Sequence, residues 1–166
     1  QKKLCYKFKD ASLLKTALTH SSYANENRGS GDSSYERLEF LGDAVLQLTS
    51  SKYVFRRFQD NMEGDLTKKR ASSVCEKTLA VYARKIHLGD YLMLGHGEEQ
   101  NGGRERQSNL EDAFEALIAA IYLDGGFEPA KKFILPSLTS EKQTTLFHSK
   151  NWKQEEVLPS LQRTEP

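Results

Sequence analysis

The chain is poor in cysteine, proline and tryptophan, with 2, 4 and 1 of them among 166 residues. Cys5 and Cys75 stand alone, with no CxxC pair and no His/Cys cluster. That excludes a disulfide framework and a thiolate metal site, and it fits two free thiols in a reducing cytoplasmic setting. Long apolar runs are missing too. Nothing approaches the roughly 18 residues of a membrane span, so no membrane partner is expected. Charge of one sign is also lacking: the net charge of +1 excludes a polybasic clamp. A polyanion would have to be held by local patches. The start, Gln1-Lys2-Lys3-Leu4-Cys5, has neither an initiator Met nor the apolar run of a signal peptide, as expected of a piece of something longer. Strict polar/apolar alternation is rare, which argues against sheet.

What is present is helical periodicity, with 37% hydrophobic residues to build one core. The expected fold class is all-α. The length suits one domain of about 100–150 residues plus a tail. A first helix is predicted over 12–20, with Leu13, Leu14, Ala17 and Leu18 inward. The polar, Gly-containing stretch 21–34 reads as a loop. A long helix follows over 35–58, opened by a capping box with Ser33 as N-cap and Glu36 as N3. Its core stripe is Leu38, Leu41, Val45 and Leu48. Another helix is predicted over 64–86, then a turn-rich stretch over 89–106. Ser108 and Glu111 form a second capping box, opening a helix that buries Phe114, Leu117, Ile118 and Ile121. Asp124-Gly125-Gly126 ends it, and a last helix spans 129–138.

Two acidic patterns stand out on these helices. Glu36, Glu39 and Asp43 recur along one helix, and Asp112 and Glu115 along the other, with Ala119 on their side. Residues three or four apart share a helix face, where like charges repel by a few tenths of a kcal/mol per pair. One such pair is ordinarily a solvated face. An oxygen-only donor set is also what a hard cation such as Mg²⁺ takes. Phe40 falls beside the acids and away from the core stripe, a position either exposed or covered by another chain.

Glu36 to Leu46, reading ERLEFLGDAVL, resembles the signature helix of the ribonuclease III family. The order of the other segments is similar as well: THSSYANE over 19–26, Glu63-Gly64-Asp65-Leu66-Thr67 through Arg70-Ala71-Ser72, Leu94 to Glu99, Gly102 to Arg106, and Asp112 to Gly126. The resemblance covers about residues 5–137 and is closest to the bacterial branch. It implies a metal-dependent endoribonuclease that cuts double-stranded RNA to 5′-phosphate and 3′-hydroxyl ends in RNA processing. It implies the all-α nuclease fold of that family, a homodimer with a central RNA-binding valley, and Mg²⁺ as cofactor, replaceable by Mn²⁺. The family's metal ligands and catalytic acids fall on Glu39, Asp43, Asp112 and Glu115. Its accessory acids fall on Glu36 and Glu63, and its dimer knob on Phe40.

On that basis residues 1–138 are the catalytic domain. Residues 139–166 are a tail or linker, in which Trp152, Val157, Leu158 and Leu161 are spaced for a short docking helix. Candidate RNA contacts are Lys68, Lys69, Arg70, Arg104 and Arg106. A-form RNA is read mainly through its backbone and 2′-hydroxyls, so no sequence readout is expected. His20 is expected to hydrogen-bond at a helix end, and Asn25 to lie in a loop that could reach the site. His96 stands where the family has Lys, Glu111 where it has Ala, and Ser34 where it often has Asn. The double-stranded-RNA-binding domain that usually follows is not visible in the tail.

Two other readings compete. A non-catalytic RNA-binding scaffold on the same fold usually loses the acids, and all four are present. A dinuclear-iron bundle wants Glu-x-x-His on two helices, but Gly42 and Ile118 occupy those positions.

Overall fold

The structure, a computed structural model, describes Leu4 and residues 6–139. Cys5 and the docking helix expected over 152–161 lie outside the described residues. The helices run in the order α1 Ala11–Ala17, α2 Ser21–Glu26, α3 Glu36–Arg57, α4 Glu63–Ser73, α5 Glu76–Lys85, α6 His96–Gln100, α7 Gln107–Gly125 and α8 Phe127–Leu138. Short 3-10 turns lie at Arg28–Ser30 and Leu88–Tyr91. Among the described residues extended pairing is limited to an isolated parallel bridge, Thr19 to Met93. The all-α expectation holds.

Everything is arranged around α7. Apart from Glu115, its sequence is apolar on every side from Ala113 to Ile121, and a helix of that kind must be buried all round. Ala113, Leu117, Ile118, Ala119, Ala120 and Ile121 are each 0% exposed. α3, α5, α8 and α1 wrap it. Side chains such as Leu46, Leu79 and Ile134 fill the seams, each stabilising the fold by about 1.5–3 kcal/mol when removed from water. α7 ends at Gly126, whose φ of +85° only glycine adopts without strain.

Several local expectations are corrected. The start of α3 is not set by Ser33. Tyr35 is its N-cap, because its ring is buried and its backbone N–H donates to the Thr19 carbonyl at 2.8 Å. The stripe of α3 is also rotated. Leu38 and Val45 are buried, but Leu48 is 59% exposed and Leu46 takes its place. α7 opens at Arg106, with Ser108 inside the helix, so the second capping box is not formed either.

The helix expected over 64–86 is broken at Val74–Cys75, where Cys75 is extended. The break lets α5 turn Leu79, Ala80, Tyr82 and Ala83 onto the core while α4 stays outside against α3. The expected loop over 21–34 contains α2. Its residues carry no apolar period because polar bonds hold it: Ser22 Oγ accepts from the Gly95 N–H at 2.8 Å, and Glu26 accepts from the His96 N–H at 2.9 Å. α6 lies inside the stretch read as turns.

Candidate active site

The site begins with a close approach of two backbones. A Cβ built on Gly42 of α3 would stand 1.8 Å from the Glu115 carbonyl oxygen of α7. Only a residue without a side chain permits that crossing. It places the turn of α3 bearing Glu39 and Asp43 against the turn of α7 bearing Asp112 and Glu115. Glu115 does not sit on an outward face with Ala119, as its spacing suggested. It is 8% exposed, at the crossing itself.

The electrostatics show that the two acid groups act on one another. Burial pushes the Glu115 carboxyl up to about 8, and the fields of Asp43, Glu111, Glu39 and Asp112 add to the shift. Glu39 is raised by burial and then by Asp112, Glu36 and Asp43. Asp112 is raised by burial, against an opposing pull from His20. Desolvation and like charge both disfavour the ionised form, and here they act together. Asp43 accepts a 3.1 Å hydrogen bond from the Gln47 side-chain amide one turn on.

Three further residues belong to this neighbourhood. Glu111 is not a cap: burial and the fields of Glu76, Asp112, Glu39 and Asp43 raise it to about 7. Glu76, in the first turn of α5, is brought alongside only by the helix break, and no sequence spacing signals it. Tyr35 is 2% exposed, and its hydroxyl has no partner of normal hydrogen-bond geometry among the described residues. Asp112 exerts the strongest field on that phenol, and the phenol in turn favours the ionised Asp112. The two groups therefore face each other too loosely for a formed bond.

The accessory acids divide. Glu36 acts on Glu39 and Asp112, and accepts a 2.9 Å bond from Ser34 Oγ. Glu63 is not among the leading charges on Glu39, Asp112 or Glu115. It accepts from Thr67 Oγ1 at 2.9 Å at the start of α4. His20 caps α2, its Nδ1 accepting the Ser22 N–H at 3.1 Å, which leaves Nε2 for the proton. Asn25 lies on exposed α2 rather than in a loop, with Arg28 3.4 Å from its carbonyl oxygen.

The basic candidates differ in what already holds them. Lys68 is exposed on α4. The Lys69 ammonium lies 4.3 Å from the Phe58 ring centroid, and Arg70 donates to Ser51 Oγ at 3.0 Å. Arg104 is committed within the fold, donating to the Gly89 and Leu92 carbonyls at 2.9 Å each and pairing with Glu99 at 2.6 Å. Arg106 pairs with Glu98 at 2.6 Å. Phe40 is 82% exposed, and Leu48 and Phe55 also leave α3 outward.

A cluster of oxygen donors whose charges raise one another has the chemistry to take up a hard divalent cation. As placed, no group of three or more Asp, Glu, His or Cys among the described residues converges closely enough to hold an ion. The donor set fits the group; its side chains would have to turn inward to ligate it.

Known proteins are similar to this chain in sequence and in fold. The ribonuclease-III-like family model matches residues 10–142. The ribonuclease 3 of Desulforamulus reducens is 55% identical over 138 residues, which is 83% of this chain and 56% of that protein. The ribonuclease 3 of Oleidesulfovibrio alaskensis is 56% identical over 137 residues, 82% of this chain and 59% of its own. The chain thus spans less than two thirds of these curated relatives. A solved structure of the nuclease domain of ribonuclease III from Campylobacter jejuni superposes with a TM-score of 0.77 at 47% identity, covering 82% of this chain and 92% of that one. A dicer structure from Pichia stipitis, at 24% identity and a TM-score of 0.60, shares the fold. By its sequence and its architecture, the chain belongs to the ribonuclease-III-like family.

Proposed function

We propose that this domain is a divalent-metal-dependent endoribonuclease that cleaves double-stranded RNA to 5′-phosphate and 3′-hydroxyl ends in RNA processing. The observation that carries the reading is the mutual action of Glu39, Asp43, Asp112 and Glu115 across the α3–α7 crossing. These four residues would hold the metal. Mg²⁺ is the cofactor we assign, with Mn²⁺ able to replace it, because the donors are all carboxylate oxygens. When bound, such ions supply an activated water and stabilise charge on the leaving oxygen.

The protein's own part is positional. Gly42 fixes the spacing of the two acid turns, and Gln47 orients Asp43. The burial of Glu115 strengthens every interaction at the crossing by keeping water out. Glu36 adds negative field at the rim, and Glu63 is assigned to the approach along α4. Lys68, Lys69 and Arg70 are assigned to phosphates of the duplex. Arg104 and Arg106 would act chiefly by holding the loop that carries them.

The functional unit we assign is a homodimer, with Phe40 as the knob. A large aromatic that is 82% exposed beside an acidic site is costly to leave in water. We assign the enzyme to the cytoplasm, where the free thiol of Cys75 is stable.

The test is a gel assay on a labelled RNA duplex and its single strand, in Mg²⁺ and in Ca²⁺, with Glu115→Gln as control. Cleavage of the duplex alone, in Mg²⁺ alone and only by the parent protein, is the expected result. Duplex binding with no cleavage in either ion would replace it with the scaffold reading. Full activity of Glu115→Gln would overturn the assignment of the acids.

A further inference from the structure

Tyr35 is held on three sides. Its backbone N–H is bound to the Thr19 carbonyl at 2.8 Å. Its ring meets the His20 imidazole edge-on at 5.6 Å between centroids. Its position at the head of α3 fixes the direction of the side chain. The residue is 2% exposed, and its hydroxyl, buried with it, makes no hydrogen bond among the described residues. A buried phenol without a partner costs about 1–3 kcal/mol, so its retention in a packed interior calls for a compensating role.

Asp112 is the group it faces. Of the charges acting on the phenol Asp112 is the strongest, and His20, whose ring lies 5.6 Å from that of Tyr35, also acts on Asp112. We propose that the Tyr35 hydroxyl is a positioning residue for Asp112: it donates to one carboxylate oxygen when the other turns onto the metal. This rests on the four-acid reading of the site. A carboxylate ligand needs its non-ligating oxygen anchored, or ion binding must pay to order it. The phenol O–H is a buried donor whose ring and backbone are already held. His20 then has a task as well, since its edge keeps the Tyr35 ring from rotating away.

The inference separates from ordinary packing by its sign. Tyr35→Phe removes an oxygen that satisfies nothing in the metal-free fold. The variant should therefore unfold at the same temperature as the parent, or slightly higher, in chelator. Its affinity for Mn²⁺ alone, without RNA, should fall about tenfold or more, the usual effect of losing an outer anchor of a metal ligand. Binding is read from the electron paramagnetic resonance signal of free Mn²⁺, with Asp112→Asn measured in parallel.

Weaker Mn²⁺ binding with unchanged melting supports the proposal. Parent-like Mn²⁺ affinity in Tyr35→Phe overturns it and leaves the four acids standing. A melting temperature several degrees lower in chelator also overturns it, because the hydroxyl is then structural. Mn²⁺ binding by the parent that is indifferent to Asp112→Asn would bring down the four-acid reading itself.

Discussion

Gly42 and Glu115 meet backbone to backbone, so closely that a Cβ built on Gly42 would stand 1.8 Å from the Glu115 carbonyl oxygen. That contact fixes how the turn bearing Glu39 and Asp43 lies against the turn bearing Asp112 and Glu115. It sets how far Asp43 stands from Asp112 and how deeply Glu115 is buried.

Gly42→Ala should be among the most damaging single methyl additions in the domain. The obstructing atom is backbone, so neither helix can yield without shifting the whole crossing. A loss of about 1–3 kcal/mol or more is expected from overpacking of this kind, together with near-complete loss of cleavage. Denaturant unfolding checks the first and the duplex assay the second. Gly29→Ala, in open space, is the control and should leave both unchanged.

Without divalent ions, the domain should lose stability as pH rises through neutrality. In the fold Glu111 and Glu115 titrate near about 7 and about 8, against an ordinary 4.5. Raised acid values mean their contribution favours folding fully below pH 4.5 and is lost as pH climbs through those folded values. Melting in chelator should therefore fall from about pH 4.5 to about pH 8 (the span between the ordinary and the folded values), and Glu115→Gln should flatten the fall. Added Mg²⁺ should restore the parent at high pH, since ligation requires the deprotonated acids. A melting temperature independent of pH would contradict the assignment.

Phe40→Ala should leave the fold intact and weaken self-association. Among the described residues the ring is left 82% exposed, so its removal costs them little packing. A buried aromatic knob at an interface typically contributes about 2 kcal/mol or more, so the dissociation constant should rise at least 30-fold, by conversion at 1.4 kcal/mol per decade. Sedimentation equilibrium reads this directly.

Arg104→Ala should fail by a different route from Lys68→Ala. Arg104 ties the Leu88–Tyr91 turn to its own loop through the Gly89 and Leu92 carbonyls. Its removal should lower stability by about 1–3 kcal/mol as those carbonyls lose their donor. Arg104→Lys should rescue little, since an ammonium cannot reproduce the fork. Lys68→Ala should keep the parent's melting temperature and weaken RNA binding, with a shallower salt dependence.

Local chemistry made much of this legible in the sequence. Periodicity is a property of neighbours three and four apart, so the helical class, the long α3 and the apolar α7 could be read directly. The acid pairs were readable for the same reason, and the order of the motifs carried the family. The outward place of Phe40 followed from the helical wheel alone.

Elsewhere local rules were outvoted. The Ser33 and Ser108 boxes satisfy capping chemistry, yet Tyr35 and Arg106 begin the helices; at Tyr35 the backbone bond to the Thr19 carbonyl outweighs one hydroxyl cap worth about 1 kcal/mol. α2 was invisible because its stability comes from bonds to Gly95 and His96, some 70 residues away. The break at Val74–Cys75, and with it the approach of Glu76 to Glu111, is decided by where α5 must lie to cover α7.

The sequence by itself determined which residues are acidic, which faces they occupy and which are apolar. Only the tertiary structure decided that the two acidic faces share one crossing, that Glu115 is buried there and that Tyr35 is turned toward Asp112. Helix faces are written in residue spacing. Which faces meet, and how closely, depends on side-chain volume at the contact, and here that volume is the missing Cβ of Gly42.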